Sequence, residues 1–246
     1  MSIRSTERTR FDVTHDSAPT ETLLCGFSEF GLAGLTAADY LVKQLDLEQT
    51  GHVAAEGLPA ITPFSEGAPR NHTRLFSRDG LDLTVLVGEL FIPVGMAKPF
   101  ADAVLDWAEE EIAEVAVLSG VPVAHGPDEH RAFYIATEDY REHRLDDGEV
   151  PPMGGGFLDG VNGALMQRGL DSDLRVAVFA TPAHAQTPDV EAALRLLDAL
   201  ERVYDLDVDT EPLESFAEEV RQHYAELAAR MQAVEAGRQP EDRMYM

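Results

Sequence analysis

Residues Thr22–Glu48, TLLCGFSEFGLAGLTAADYLVKQLDLE, constrain this chain more than any other stretch. Thr22–Cys25 is an apolar run of strand length. Gly26, Gly31 and Gly34 follow it. Leu35, Ala38, Leu41, Val42 and Leu45 then recur at steps of three and four, the period of a helix with one buried face. A strand, a glycine turn and a helix form the first half of a βαβ unit. In an open α/β sheet such a turn lies at the carboxyl end of a strand, where ligands bind.

The glycines admit three catalytic readings, none of which the spacing completes. Gly-x-x-x-x-Gly-x-x-Gly is not the dinucleotide fingerprint, because Ser28 holds the middle glycine's place. No Lys-Ser or Lys-Thr follows Gly31, so it is not a phosphate-binding P-loop. Gly26-Phe27-Ser28-Glu29-Phe30 starts as a nucleophile elbow does, but Phe30 stands where the final glycine belongs. The plainer reading is that the glycines tighten the turn and let the helix approach the strand.

The rest of the chain extends the βα pattern. Residues 1–19 read as a polar arm in which Phe11 and Val13 can add a strand. His52–Ala55 reads as a short strand. Glu56–Asn71 carries Gly57, Pro59, Pro63, Gly67 and Pro69 and reads as a long loop. His72–Phe76 and Leu81–Val87 flank an Asp79-Gly80 hairpin signal. A helix is expected over about Pro99–Glu111, strands at Val115–Leu118 and Arg131–Ala136, and a charged, Pro-rich loop at Tyr140–Pro152. Gly154, Gly155 and Gly156 open a second glycine turn before a helix containing Gly160 and Gly163. Leu174–Ala180 is a buried strand, and Asp189–Tyr204 an amphipathic helix with Val190, Leu194, Leu197 and Leu200 on one face. Strands alternating with helices predict a three-layer αβα fold around a mostly parallel sheet.

The last helix differs from the others. Leu213, Phe216, Val220, Tyr224, Leu227, Met231 and Val234 recur at steps of three and four, a heptad-like seam. The seam can pack on its own domain, or it can serve self-association or a partner; the second is expected, because the preceding helices suffice to cover the sheet. Gly237 and Pro240 end it. The expected organisation is an arm at 1–19, an α/β domain at 20–208, a C-terminal amphipathic helix at 209–236 and a flexible tail at 237–246.

Charge restricts the partners. Forty-five acidic residues face 19 basic ones, giving a net charge of −26, and Lys43 and Lys98 are the only lysines. Such a surface repels nucleic acid and anionic membrane. Acidic excess with almost no lysine points to a halophilic cytoplasm, where multimolar salt screens self-repulsion. Cys25 is the sole cysteine, which excludes an internal disulfide and a Cys-rich zinc site. No apolar h-region opens the chain and no apolar run approaches the length of a membrane span, so a cytoplasmic protein is expected.

Candidate chemistry is sparse. The eight histidines make no metal motif, and no metal or cofactor is expected. Asp205-x-Asp207-x-Asp209 imitates a calcium loop, but Thr210 and Phe216 replace its glycine and its bidentate glutamate. The turns around Gly26, Gly31 and Gly34 and around Gly154, Gly155 and Gly156 can offer N–H groups to an anion, as helix N-termini do. Yet Lys43 and Arg168 lie well inside their helices, and close helix–sheet packing explains the glycines more simply. The C-terminus reads Arg243-Met244-Tyr245-Met246. Two apolar residues around a tyrosine, next to a free carboxylate, suit a docking pocket.

Two of these motifs carry a family resemblance. Gly26-Phe27-Ser28-Glu29-Phe30-Gly31-Leu32-Ala33-Gly34, followed by Ala37-Ala38-Asp39-Tyr40-Leu41, is similar to the glycine turn and helix of the proteasome assembly chaperones of archaea and, more distantly, eukaryotes. Gly155-Gly156-Phe157-Leu158-Asp159-Gly160-Val161-Asn162-Gly163-Ala164-Leu165-Met166 resembles that family's Gly-rich helix start. The resemblance runs from about Thr22 to Tyr204. It implies a fold with the shape of nucleoside phosphorylases but without their catalytic groups. It also implies a homo-oligomer that docks on α subunits of the proteasome core through a hydrophobic–tyrosine–any tail, here Met244, Tyr245 and Met246. The expected function is therefore a non-catalytic assembly chaperone or core-particle adaptor. The competing expectations are an enzyme on a phosphorylase-like or carboxylate–amine-ligase-like scaffold, binding an anionic substrate at the two glycine turns, and a structural oligomer with another partner.

Overall fold

The computed structural model describes residues 10–16, 19–107, 111–123, 130–145, 148, 150–184 and 188–222. Met1–Val208 form one compact unit and Asp209–Met246 a second. Among the described residues the first unit has the strands β1 (Arg10–His15), β2 (Thr22–Phe27), β3 (Glu48–Glu56), β4 (Phe64–Ser65), β5 (Ala68–Pro69), β6 (Thr73–Ser77), β7 (Thr84–Gly88), β8 (Glu114–Val121), β9 (Phe133–Ala136) and β10 (Arg175–Pro182). Its helices are α1 (Ala33–Gln44), α2 (Val94–Asp106), α3 (Glu138–Arg144), α4 (Gly160–Leu170) and α5 (Val190–Tyr204).

Eight strands form one mixed sheet in the order β1-β3-β6-β7-β2-β8-β10-β9. Its centre is parallel: β2 pairs in parallel with β7 and β8, and β10 with β8. The flanks are antiparallel, with β6 on β7, β3 on β6, β1 on β3 and β9 on β10. The expected α/β layering is present, with helices on both faces of the sheet. Strand alternation divides the core between them. Leu23, Cys25 and Phe27 of β2, with Val115 and Val117 of β8, pack with Phe100 and Val104 of α2 and Leu165 of α4. The Phe100 ring meets Phe11 and Phe27 edge-on, at centroid distances of 5.2 and 5.8 Å. On the other face α1 and α5 lie side by side over β2, β8 and β10.

Several local expectations are corrected. α2 begins at Val94 and contains Pro99. Proline costs the helix one backbone bond, and burial of Ala97, Phe100, Ala101, Val104 and Leu105 outweighs it. α3 runs into the expected loop at Tyr140–Pro152 as far as Arg144. This short helix has one apolar buried residue, Tyr140, so periodicity gives it no signature. It is fixed instead by the Tyr140–Tyr204 hydroxyl pair at 2.8 Å and by Arg144, which donates to the fully buried Glu114 at 2.8 Å. Thr22 also donates to Glu114 at 3.0 Å, so one carboxylate ties β2, β8 and α3 together. Within the expected Glu56–Asn71 loop, β4 and β5 form an exposed two-stranded ribbon.

The second unit is helical over 211–222 among the described residues. Arg221–Glu218 and Gln222–Glu218 contacts at 3.0 and 2.8 Å line its polar face. No helix among the described residues is long and apolar enough to cross a membrane.

Candidate functional site

The two glycine motifs meet at the carboxyl end of the parallel strands, and they do different work there. Gly26 lies inside β2 and Gly34 inside α1; only Gly31 belongs to the turn between them. A Cβ on Gly26 would sit 2.5 Å from the Ala38 Cβ, and one on Gly34 would collide with the Leu118 carbonyl. These two glycines therefore let α1 rest directly on β2 and β8. Gly31 has φ +63°, a left-handed conformation that glycine adopts freely. It accepts the Asp189 N–H at 2.8 Å, which ties the turn to the start of α5.

Three amides of the first turn are already committed. Ser28 N–H donates to the Gly88 carbonyl at 2.9 Å, Glu29 N–H to Phe27 at 2.9 Å and Leu32 N–H to Glu29 at 3.0 Å. In the second motif Gly154, Gly155 and Gly156 precede α4 outside any helix or strand, and a side chain at any of them would meet open space. Close packing thus accounts for Gly26 and Gly34 but not for Gly154–Gly156.

Between the motifs opens a cleft of about 730 Å³. Its walls are apolar, with Phe27, Ile92, Val161 and Val178 among them. Its rim exposes large side chains: Phe91 is 66% exposed, Val94 64% and Phe157 fully so. The size is that of a small-molecule pocket. Among the described residues that line it there is no Lys, Arg or His, whereas Glu29 and Asp159 both contribute carboxylates. Among the described lining residues an anion would meet negative charge without a counter-charge, and none of them is a histidine that could act as a base for Ser28.

At the floor a polar cluster assembles that sequence reading did not single out. Ser119 Oγ, at the end of β8, donates to Glu29 Oε2 at 2.8 Å. Asn162 Nδ2, in the first turn of α4, donates to the same oxygen at 2.9 Å and lies 3.0 Å from Ser119 Oγ. Burial pushes the Glu29 carboxyl above its ordinary value; the two donors oppose the shift and nearby Asp159 reinforces it. Asn162 is 6% exposed, and its Oδ1 is buried without a partner. The one available signal was position, since polar residues that end buried strands face the ligand side of an α/β sheet.

Of the seam residues, Leu213 is buried, Phe216 is 52% exposed and Val220 is intermediate. Tyr224, Leu227, Met231 and Val234 lie outside the described residues, as do Met244, Tyr245 and Met246.

Comparison with known proteins places this architecture. An uncharacterized protein of Methanocaldococcus jannaschii is 24% identical over 204 residues, 82% of this chain and 83% of that one. Two crystal structures from Pyrococcus furiosus share the fold. PbaA, an archaeal homolog of proteasome-assembly chaperone, matches with a TM-score of 0.82 at 20% identity, over 93% of this chain and 95% of its own. PbaB, an archaeal proteasome activator, matches with a TM-score of 0.76 at 18% identity, over 89% of this chain and 99% of its own. The sequence model of the PAC2 family covers residues 23–228, from the first buried strand through the described part of the last helix. The chain belongs to the PAC2 family.

Proposed function

We propose that this protein is a non-catalytic proteasome assembly chaperone or core-particle adaptor of the cytoplasm. The observation that carries the reading is the PAC2 match over residues 23–228, joined by a fold shared along nearly the whole chain with PbaA and PbaB. In this reading the protein is a homo-oligomer, with the seam from Leu213 to Val234 holding the subunits or projecting the tail. Met244, Tyr245 and Met246 dock between α subunits of the core, the tyrosine and terminal carboxylate entering the pocket. Several tails on one oligomer raise avidity by making later contacts intramolecular. The cleft supports the non-catalytic part of the reading. It is lined by carboxylates and apolar groups with no basic side chain among the described lining residues, and the Ser28, Glu29 and Leu32 N–H groups go to the protein's own carbonyls, so an anionic substrate is disfavoured there.

The test is binding of the full chain, and of a chain lacking Met244–Met246, to purified α rings and core particles in multimolar potassium chloride. The full chain binds and the truncated chain does not. Equal binding by both moves the interface to the folded domain. Binding by neither removes the proteasome as partner.

A further inference from the structure

The cleft at the carboxyl end of the sheet has features that tail docking does not use. Glu29 reaches its floor with one carboxylate oxygen held and the other free. Oε2 accepts from Ser119 and Asn162, while Oε1 has no donor among the described residues. Beside it, Asn162 Oδ1 is a second acceptor, buried and unpaired. Natural proteins rarely leave such an acceptor unmatched, because it has lost its water and gained nothing. Asp159, at the start of α4, adds a further negative charge, and no basic side chain answers it among the described lining residues. Above this acceptor-rich floor the walls and rim are apolar and aromatic.

A matching ligand supplies what the floor lacks, namely hydrogen-bond donors and positive charge, on a body that covers the apolar walls. We propose that this cleft binds a small apolar molecule bearing a primary ammonium group, with the ammonium donating to Glu29 Oε1 and the body lying among Phe27, Phe91 and Phe157. The ammonium makes a charge-assisted hydrogen bond to the carboxylate while the body covers the apolar walls. The chain's own tail is the wrong occupant, since its terminal carboxylate would approach Glu29 and Asp159 with like charge.

The experiment uses the full chain, folded in potassium chloride at pH 8, and calorimetric titration with phenethylamine, phenethyl alcohol and 3-phenylpropionate. These probes share an aromatic body and differ at the head. Phenethylamine binds; the alcohol binds about tenfold more weakly, having lost the charge-assisted bond; the carboxylate does not bind. Glu29→Gln weakens the amine about tenfold by the same loss, whereas Glu142→Gln on the exposed face of α3 leaves it unchanged. Phe157→Ser alters a fully exposed side chain, so it folds whatever Glu29→Gln does, and it weakens the amine relative to wild type. Removing Met244–Met246 leaves amine affinity intact, so failure of this proposal and failure of proteasome docking are read separately. The proposal is overturned if wild type does not bind phenethylamine, as when a second copy fills the cleft. It is also overturned if the three probes bind alike, or if folded Glu29→Gln or Phe157→Ser binds the amine as wild type does.

Discussion

Glu29 shows how one residue is set by three elements. It leaves the end of β2, meets Ser119 from β8 and Asn162 from α4, and is desolvated between them. Its proton is held more tightly in the folded protein than in the unfolded chain, where the carboxyl titrates near its ordinary 4.5. The native state therefore binds more protons between 4.5 and the raised folded value. By linkage, the stability this group contributes is fully present below pH 4.5 and is lost as pH rises through the folded value. Glu29→Gln removes that loss while its amide oxygen still accepts from Ser119 and Asn162. Urea unfolding of both proteins from pH 4.5 to 8 should show the variant gaining stability relative to wild type as pH rises, then levelling off. A difference independent of pH would mean that the carboxyl titrates as it does in the unfolded chain. The same cluster marks where sequence reading runs out. Ser119 and Asn162 lie 90 and 133 residues from Glu29, and no local period or motif joins them.

At the scale of the element, what was legible was what burial writes into a short window. The strand–turn–helix around Thr22–Glu48, the apolar runs of β7, β8 and β10, and the amphipathic α5 all follow from period and composition. What was missed lacks such a signal. α3 carries one buried residue, and α2 starts ahead of a proline that reads as a helix beginning. The glycines were visible, but not their division of labour. Gly34 brings α1 against the Leu118 carbonyl, a backbone atom that cannot swing aside, whereas Gly155 faces open space. Gly34→Ala should therefore cost about 3 kcal/mol or more by forcing α1 off the sheet, and Gly155→Ala should stay within about 0.5 kcal/mol of wild type. Chemical denaturation of the two variants checks this directly. Equal effects would show that α1 shifts without cost.

For the whole molecule the controlling quantity is the charge of −26. The positive groups are few, and many already pair with near neighbours. Lys43 meets Asp39, Lys98 meets Asp102 and Arg202 meets Asp198, each one helical turn away. Such exposed pairs contribute little individually and are screened by salt. The remaining negative charge repels itself, and compaction brings those charges closer than they are in the unfolded chain. The Debye length is about 10 Å at 0.1 M salt and about 3 Å at 1 M, so repulsion between separated surface carboxylates is largely removed over that range. The internal Glu114–Arg144 pair and the Phe11–Phe100–Phe27 packing are far less sensitive to it. Raising potassium chloride from about 0.1 M to multimolar concentration should therefore raise the melting temperature steeply over the first 1 M, with the gain continuing only where salt also strengthens apolar burial. Sodium chloride should match potassium chloride over the first part of the rise if screening drives it. A melting temperature flat across this range would show that the folded surface spaces its carboxylates widely enough to tolerate low salt, and the halophilic reading would fall.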